Sequence, residues 1–406
     1  MASVRPFRAL RPAPDSAPRV SSVPYDVVST DEARALAAGN PLSFLRVTRS
    51  EIDLPPGTDP YSDQVYEQAG RAFEELKRSA PLLLEPEPAV YFYRLRVGAH
   101  EQTGLAACYS LEEYDRDAIK KHERTRRDKE DDRTKHITRL RAQTGVVFLA
   151  YRASADIDAI AARVCATPPL YDFTAADGVT HTVWQADRAD THALTAGFSR
   201  VPALYIADGH HRAASAARAR DTLREQGVSG EHESFLAVAF PDNQVQILPY
   251  NRVVKDLGGR SPEAFLEAVR ARVPVRDGSP APARKGDVSM YVGGRWHTLD
   301  LRRAPAAAGA DRAGSLDVSV LQRDVLDAVL QVSDPRTDKR VDFVGGIRGT
   351  TELERLVDGG TAAVAFAMYP VTVDDLMAIA DAGGVMPPKS TWFEPKLRDG
   401  LLIHLI

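Results

Sequence analysis

The 406-residue sequence is poor in cysteine: it has two, Cys108 and Cys165, with no CxxC spacing and no histidine pair beside either. That excludes a disulfide framework and a cysteine-based zinc module, and it suits a reducing compartment. No apolar run approaches the roughly 18 residues that a membrane helix needs. Residues 1–24 hold proline and arginine but no long apolar stretch, so no signal peptide is expected and the cytoplasm is the expected location. An excess of either charge is also missing. Against 52 basic residues stand 56 acidic ones, a formal net charge of -4. Such balance provides no broad basic field, so nucleic-acid binding is not expected, while a local anion pocket is compatible with it.

What is present is ordinary globular chemistry, 44% hydrophobic and 27% charged. The length exceeds one average domain, so two lobes are expected. Period-two aromatic segments such as residues 89–97 predict strands, and residues 66–78, with Val65, Ala69, Phe73 and Leu76 on one side, predict a helix. Ser29 or Thr30 caps a predicted helix over 30–38. Residues 20–28 read as a short strand entering a Pro-Tyr-Asp turn, 44–48 as a strand, and 114–140 as one long charged helix. Residues 203–207 read as a buried strand that runs into a turn and a helix over 212–226, while 235–240 and 244–250 read as a hairpin. Pro- and Ala-rich stretches at 278–285 and 303–314 read as loops. Strands and helices mix without a strict βαβ rhythm, which predicts an α+β protein with lobes at 1–254 and 255–406.

Four constellations could carry chemistry. In Ile206-Ala207-Asp208-Gly209-His210-His211-Arg212 an apolar strand ends where a helix begins. Gly209 permits close backbone approach, the helix N-terminus offers unpaired N–H groups, and the histidines and Arg212 add donors; together they make an anion site, most naturally for phosphate. The plainer reading is an Asp-Gly turn with surface histidines. Zinc fits less well, because neighbouring histidine side chains diverge. In the segment from Lys120 to His136, the residues Lys129, Arg133 and His136 recur at i, i+4 and i+7. That face is either a solvated, ion-paired helix surface or a polyphosphate wall with Glu123 as a general base beside it. Lys389, Ser390 and Thr391 follow two prolines and offer phosphate donors, with Trp392 or Phe393 able to cover a base. The Gly/Arg-rich run Phe343-Val344-Gly345-Gly346-Ile347-Arg348-Gly349 binds an anion or merely turns.

Taken together, IADGHHR, KKHERT, VPYDVV, FVGGIRG and MPPKSTWFEPK resemble, over nearly the whole chain, a family of bacterial and archaeal proteins long classed as of unknown function. Three of the motifs also look like the free serine kinase of archaea, a member of the ParB/sulfiredoxin-like superfamily. That resemblance implies a ParB/sulfiredoxin-like phosphate-binding core at about 110–250 with large insertions, one of them holding at least residues 155–198, and a C-terminal α/β lobe completing the site. It implies phosphoryl transfer between ADP/AMP or ATP and free L-serine or O-phosphoserine, with Mg²⁺ expected. Glu123 of the His122-Glu123 pair would be the base, with His122, Asp208 and His210 also catalytic. Gly209, His211, Arg212, Lys129, Arg133, Lys389, Ser390 and Thr391 would hold phosphate or nucleotide. Tyr25, Asp26 and Arg348 are candidate substrate contacts. A ParB-like nucleotide-binding regulator and a small-molecule phosphatase are the alternatives. Sulfiredoxin chemistry is discounted because Asp208–Arg212 contains no cysteine.

Overall fold

A computed structural model describes residues 2–303 and 311–406; most of the expected loop at 303–314 falls outside them. The fold is mixed α/β. The chain forms two compact units, Met1–Val245 with Pro395–Ile406, and Gln246–Glu394. Among the described residues no helix is long and apolar enough to cross a membrane.

The first unit is built on a nine-stranded sheet. Its path runs Ile119–Lys120, Leu204–Asp208, Val147–Tyr151, Ser234–Pro241, His100–Ser110, Tyr91–Val97, Thr180–Gln185, Tyr171–Thr174, with Val4–Arg5 added to His100–Ser110. Two pairings are parallel, Leu204–Asp208 with Ile119–Lys120 and Ser234–Pro241 with Val147–Tyr151; the rest are antiparallel. The central strands read as unbroken apolar runs because both faces are covered: every residue of Val147–Tyr151 and of Ser234–Pro241 is buried. Phe92, Leu149, Phe198, Ile206, Ala213 and Phe235 belong to the core that joins the sheet to its helices. A smaller core gathers Phe44, Phe73, Leu76 and Leu140 with Ile403 of the chain's last segment.

Several sequence expectations hold. Thr30–Ala37 is a helix with a full capping box between Ser29 and Glu32, Asp63–Ser79 is the predicted amphipathic helix, and Tyr91–Val97 pairs with His100–Ser110 as a hairpin. Others are corrected. The strand expected before the Pro-Tyr-Asp turn does not form, since Ala17–Val20 is helical, while the turn itself is present as the 3-10 turn Tyr25–Val27. Leu45–Thr48 is helical, and the apolar residues of such short runs do not distinguish strand from helix. The long helix over 114–140 divides into Leu111–Asp115, the short strand Ile119–Lys120 and Arg127–Leu140. The break follows from sheet pairing. Ile119 and Lys120 pair in parallel with Leu204 and Tyr205, and Asp117 turns the chain with a φ of 55°. The expected hairpin of 235–240 with 244–250 does not form either. Ser234–Pro241 pairs inside the first sheet, while Gln246–Leu248 pairs with Trp392–Glu394 and Tyr250–Val254 joins another sheet.

The second unit carries an antiparallel six-stranded sheet in the order Val275–Asp277, Arg295–Asp300, Asp287–Val292, Val364–Ala367, Tyr250–Val254, Val341–Gly345. Phe265, Leu321, Val325 and Phe366 fill its main core.

Candidate active site at the Asp208 turn

The site begins where the strand Leu204–Asp208 stops. A register shift against Val147–Tyr151 between Ile206 and Asp208 loosens the ladder, and Gly209 then takes φ 96°, ψ 29°. Few other residues accept that backbone. A Cβ at Gly209 would meet Arg212 and Val147 at 3.4 Å, ordinary contact distances, so conformation rather than space demands glycine. The helix His210–Glu225 starts at the next residue. Its first-turn N–H groups have no carbonyls four residues back, which leaves donors and a positive dipole end at the turn.

The segment between the strand Ile119–Lys120 and the helix Arg127–Leu140 folds over that helix start. The His122 backbone N–H donates to His210 Nε2 at 3.3 Å, and the two imidazole rings meet edge to face at 4.4 Å. The Arg126 N–H donates to His211 Nε2 at 3.0 Å. Since a ring nitrogen that accepts carries no proton, both histidines are held as neutral Nδ1–H tautomers. His210 Nδ1 then faces Glu123 Oε2 at 3.6 Å. Burial works in the same direction. It lowers His210 well below the ordinary imidazole value, with His122 adding to the effect, and it lowers His211 as well. Burial takes His122 down to about 4, Asp208 partly opposing. The His122 ring nitrogens have no well-formed hydrogen bond among the described residues.

Asp208 is anchored from a distant part of the chain, with Lys396 Nζ 3.0 Å from its Oδ2. Burial alone would raise this carboxyl, but Lys396 and Arg212 together hold it below the usual carboxylate range. Arg212, nearly buried, donates Nη1 to the Val146 carbonyl at 2.7 Å and Nη2 to both Asp26 oxygens at 2.8 and 2.9 Å. Its Nε is buried with no partner among the described residues. Asp399 sits beside this pair, bridged through its backbone to Ser22. Burial pushes the Asp399 carboxyl up to about 7, with Arg212 opposing.

The sequence-predicted residues therefore sort by position. His122, Glu123, Asp208, Gly209, His210 and His211 form one cluster around the helix start. Arg212 lies behind it with its guanidinium tied to Asp26 and Val146. Arg133 lies under Tyr25, 4.1 Å from the ring centroid, and is bonded to Asp132 and the Thr48 carbonyl. Lys129 reaches the Tyr61 hydroxyl at 2.5 Å. Lys389, Ser390, Thr391 and Arg348 belong to the second unit. Sequence reasoning missed Lys396 and Asp399 as members of the first cluster. Lys396 was within reach, because it closes the MPPKSTWFEPK motif; only the fold shows that this lysine faces Asp208.

The geometry can hold an oxyanion at the helix start, with a half-exposed carboxylate, Glu123, at its edge. Among the described residues no three His, Cys, Asp or Glu side chains converge as a metal cage. Among solved structures, the chain is similar to C-terminally truncated SbnI from Staphylococcus aureus, with 11% identity over 74% of this chain and 87% of that one and a TM-score of 0.40. A conserved hypothetical protein from Pyrococcus furiosus gives 14% identity, 74% and 95% coverage and a TM-score of 0.36. A free serine kinase mutant in complex with AMP gives 13%, 73% and 91%, and 0.38. No curated protein matches the chain. Residues 4–319 match the family described as protein of unknown function (DUF1015), and the chain belongs to that family.

Proposed function

We propose that the chain is a phosphotransferase that moves a phosphoryl group between an adenine nucleotide and the hydroxyl of a small compound, L-serine or O-phosphoserine, on a ParB/sulfiredoxin-like core. The observation that carries this reading is the Glu123–His210 pair at the start of the His210–Glu225 helix. A base and an oxyanion cradle stand side by side there, as phosphoryl transfer to an alcohol requires. In the proposed reaction the serine oxygen attacks the terminal phosphorus of the nucleotide and the bond to the bridging oxygen breaks. Glu123 takes the hydroxyl proton, and AMP leaves when ADP is the donor. Neutral His210, fixed as its Nδ1–H tautomer by the His122 N–H, keeps the Glu123 carboxylate aimed without adding charge. The helix N-terminus after Gly209 and the Nδ1–H of His211 stabilise the transferring oxygens. Arg212, tied to Asp26 and Val146, holds the turn. Lys389 and Thr391 of the second unit are assigned to nucleotide phosphates by their donor chemistry, while the buried Ser390 gives its hydroxyl proton to the Pro387 carbonyl. Mg²⁺ is expected to arrive on those phosphates, since among the described residues no side chains make a cage for it.

The test combines the purified protein with L-serine, O-phosphoserine, AMP, ADP, ATP and Mg²⁺ and follows nucleotide conversion. Absence of serine-dependent interconversion in every combination refutes the proposal. Phosphate release from O-phosphoserine without AMP replaces it with a phosphatase. Glu123→Gln is expected to lose about 10²- to 10⁴-fold in turnover while binding ADP as the parent does. Near-normal turnover in that variant places the base elsewhere.

A further inference from the structure

The second unit buries a cation that its core does not need. Arg252 lies in an interior strand of the six-stranded sheet, in register with Phe343 on one side and Phe366 on the other. It is only 3% exposed. Among the described residues no carboxylate stands within 4 Å of its guanidinium, and burial accordingly pushes Arg252 down to about 9. A charge buried without a counter-charge is costly, and an apolar side chain would fill the space with less penalty. What Arg252 does instead is hold backbone. Nη1 donates to the Tyr250 carbonyl, and Nη2 to the carbonyls of Lys389 at 3.0 Å and Pro388 at 3.4 Å.

Those last two carbonyls belong to the Pro387–Thr391 turn, which is constrained at three further points. Lys389 takes a φ of 55°, a conformation that disfavours any side chain, yet the residue is lysine rather than glycine. Its ammonium lies 5.3 Å from the centre of the Tyr250 ring. The buried Ser390 donates its hydroxyl to the Pro387 carbonyl at 2.7 Å. Trp392 meets the Tyr250 ring edge to face at 5.1 Å and presses on Gly345, where a Cβ would come within 2.9 Å of the indole. The turn therefore presents two cations, one beneath it and one on it, and no acid within 4 Å of either among the described residues. A conformation held against its own preference, in a positive field with no counter-ion, suits an anion that the turn is shaped to receive.

We propose that Arg252 is the positioning residue of a phosphate-binding element in the second unit: it fixes the Pro387–Thr391 turn, whose inside Ser390 braces, so that Lys389 and Thr391 face the diphosphate of a nucleoside diphosphate. This rests on the assignment of the turn to nucleotide phosphates. Full-length wild-type, Arg252→Met, Arg252→Lys and Lys389→Ala proteins are titrated calorimetrically with ADP and with pyrophosphate, and trypsin cleavage after Lys389 is timed in wild type and the two Arg252 variants. Arg252→Met is expected to weaken both ligands by roughly 10- to 100-fold, the range for losing a group that orients a ligating residue, with L-serine affinity unmoved and cleavage after Lys389 accelerated. Arg252→Lys recovers only part, since an ammonium cannot reproduce the planar fork, and it replaces Arg252→Met if melting shows that variant unfolded. If both Arg252 variants bind like wild type while Lys389→Ala does not, positioning by Arg252 is overturned and the nucleotide turn stands. If all three bind like wild type, the turn is no anion element and both ideas fall. If wild type binds neither ligand, the nucleotide reading fails, and the cleavage rate decides the anchoring role: acceleration supports it and an unchanged rate overturns it.

Discussion

Replacing Gly209 with alanine separates what the turn does for the fold from what it does for the chemistry. The structure gives Gly209 a φ of 96°, well past the left-handed optimum for residues with a side chain. The added methyl would touch Arg212 and Val147 only at 3.4 Å, so the cost is conformational. Left-handed backbone costs roughly 1–2 kcal/mol, and the stiffer unfolded chain offsets about 0.4–1 kcal/mol of the change. The net loss is about 1 kcal/mol, or roughly 2–4 °C in melting temperature for a unit of this size. Gly178 provides the control. It sits in the Asp177-Gly178 hairpin turn with a φ of 81° and nothing within 4 Å of its would-be Cβ. Gly178→Ala should therefore lose similar stability and keep its activity. Gly209→Ala should lose on the order of 100-fold in turnover, the penalty for displacing a reacting group by about 1 Å. The assay is a pair of thermal melts and a pair of rate measurements. A Gly209→Ala protein that melts like wild type refutes the turn geometry. One that melts lower but turns over like Gly178→Ala removes the phosphoryl group from this turn.

Asp26→Asn should cost about 1–2 kcal/mol in a urea titration. That is less than the loss of a fully buried partner, because the Asp26 side chain is 37% exposed while Arg212 is nearly buried; an unchanged midpoint would show that the pair contributes nothing. Asp399, raised by burial to about 7, binds more protons folded than unfolded between about pH 4 and 7. Its stabilising contribution is thus complete below the unfolded value and lost as pH rises through 7. Asp399→Asn should gain on wild type over that window and match it at low pH, and the difference between the two melting curves tests this while cancelling the histidines. Those buried histidines act oppositely, since the unfolded chain takes protons there that the folded chain refuses. Lys396→Met removes the cation that holds Asp208 down. The acid limb of substrate binding should move to higher pH, and an unmoved limb would take Asp208 out of that equilibrium.

Much was legible in the sequence because it was local. An apolar strand ending in Asp-Gly before an alanine-rich helix specifies its own turn, since few residues but glycine tolerate φ 96° and the helix start brings its donors with it. The capping box at Ser29 and the amphipathic helix Asp63–Ser79 are local in the same sense. Pairing partners were not legible. The charged stretch 114–140 has helical spacing throughout, and only the parallel pairing of Ile119–Lys120 with Leu204–Tyr205 interrupts it. That interruption brings His122 and Glu123 to His210. Periodicity reports which face of an element is apolar, not which distant strand will satisfy its backbone. For the same reason the sequence alone singled out the Asp208–Arg212 run as a candidate anion site. Tertiary structure alone decided that Asp208 answers to Lys396 and Arg212 to Asp26, because those contacts join segments almost 190 positions apart and are fixed by how the sheet is assembled.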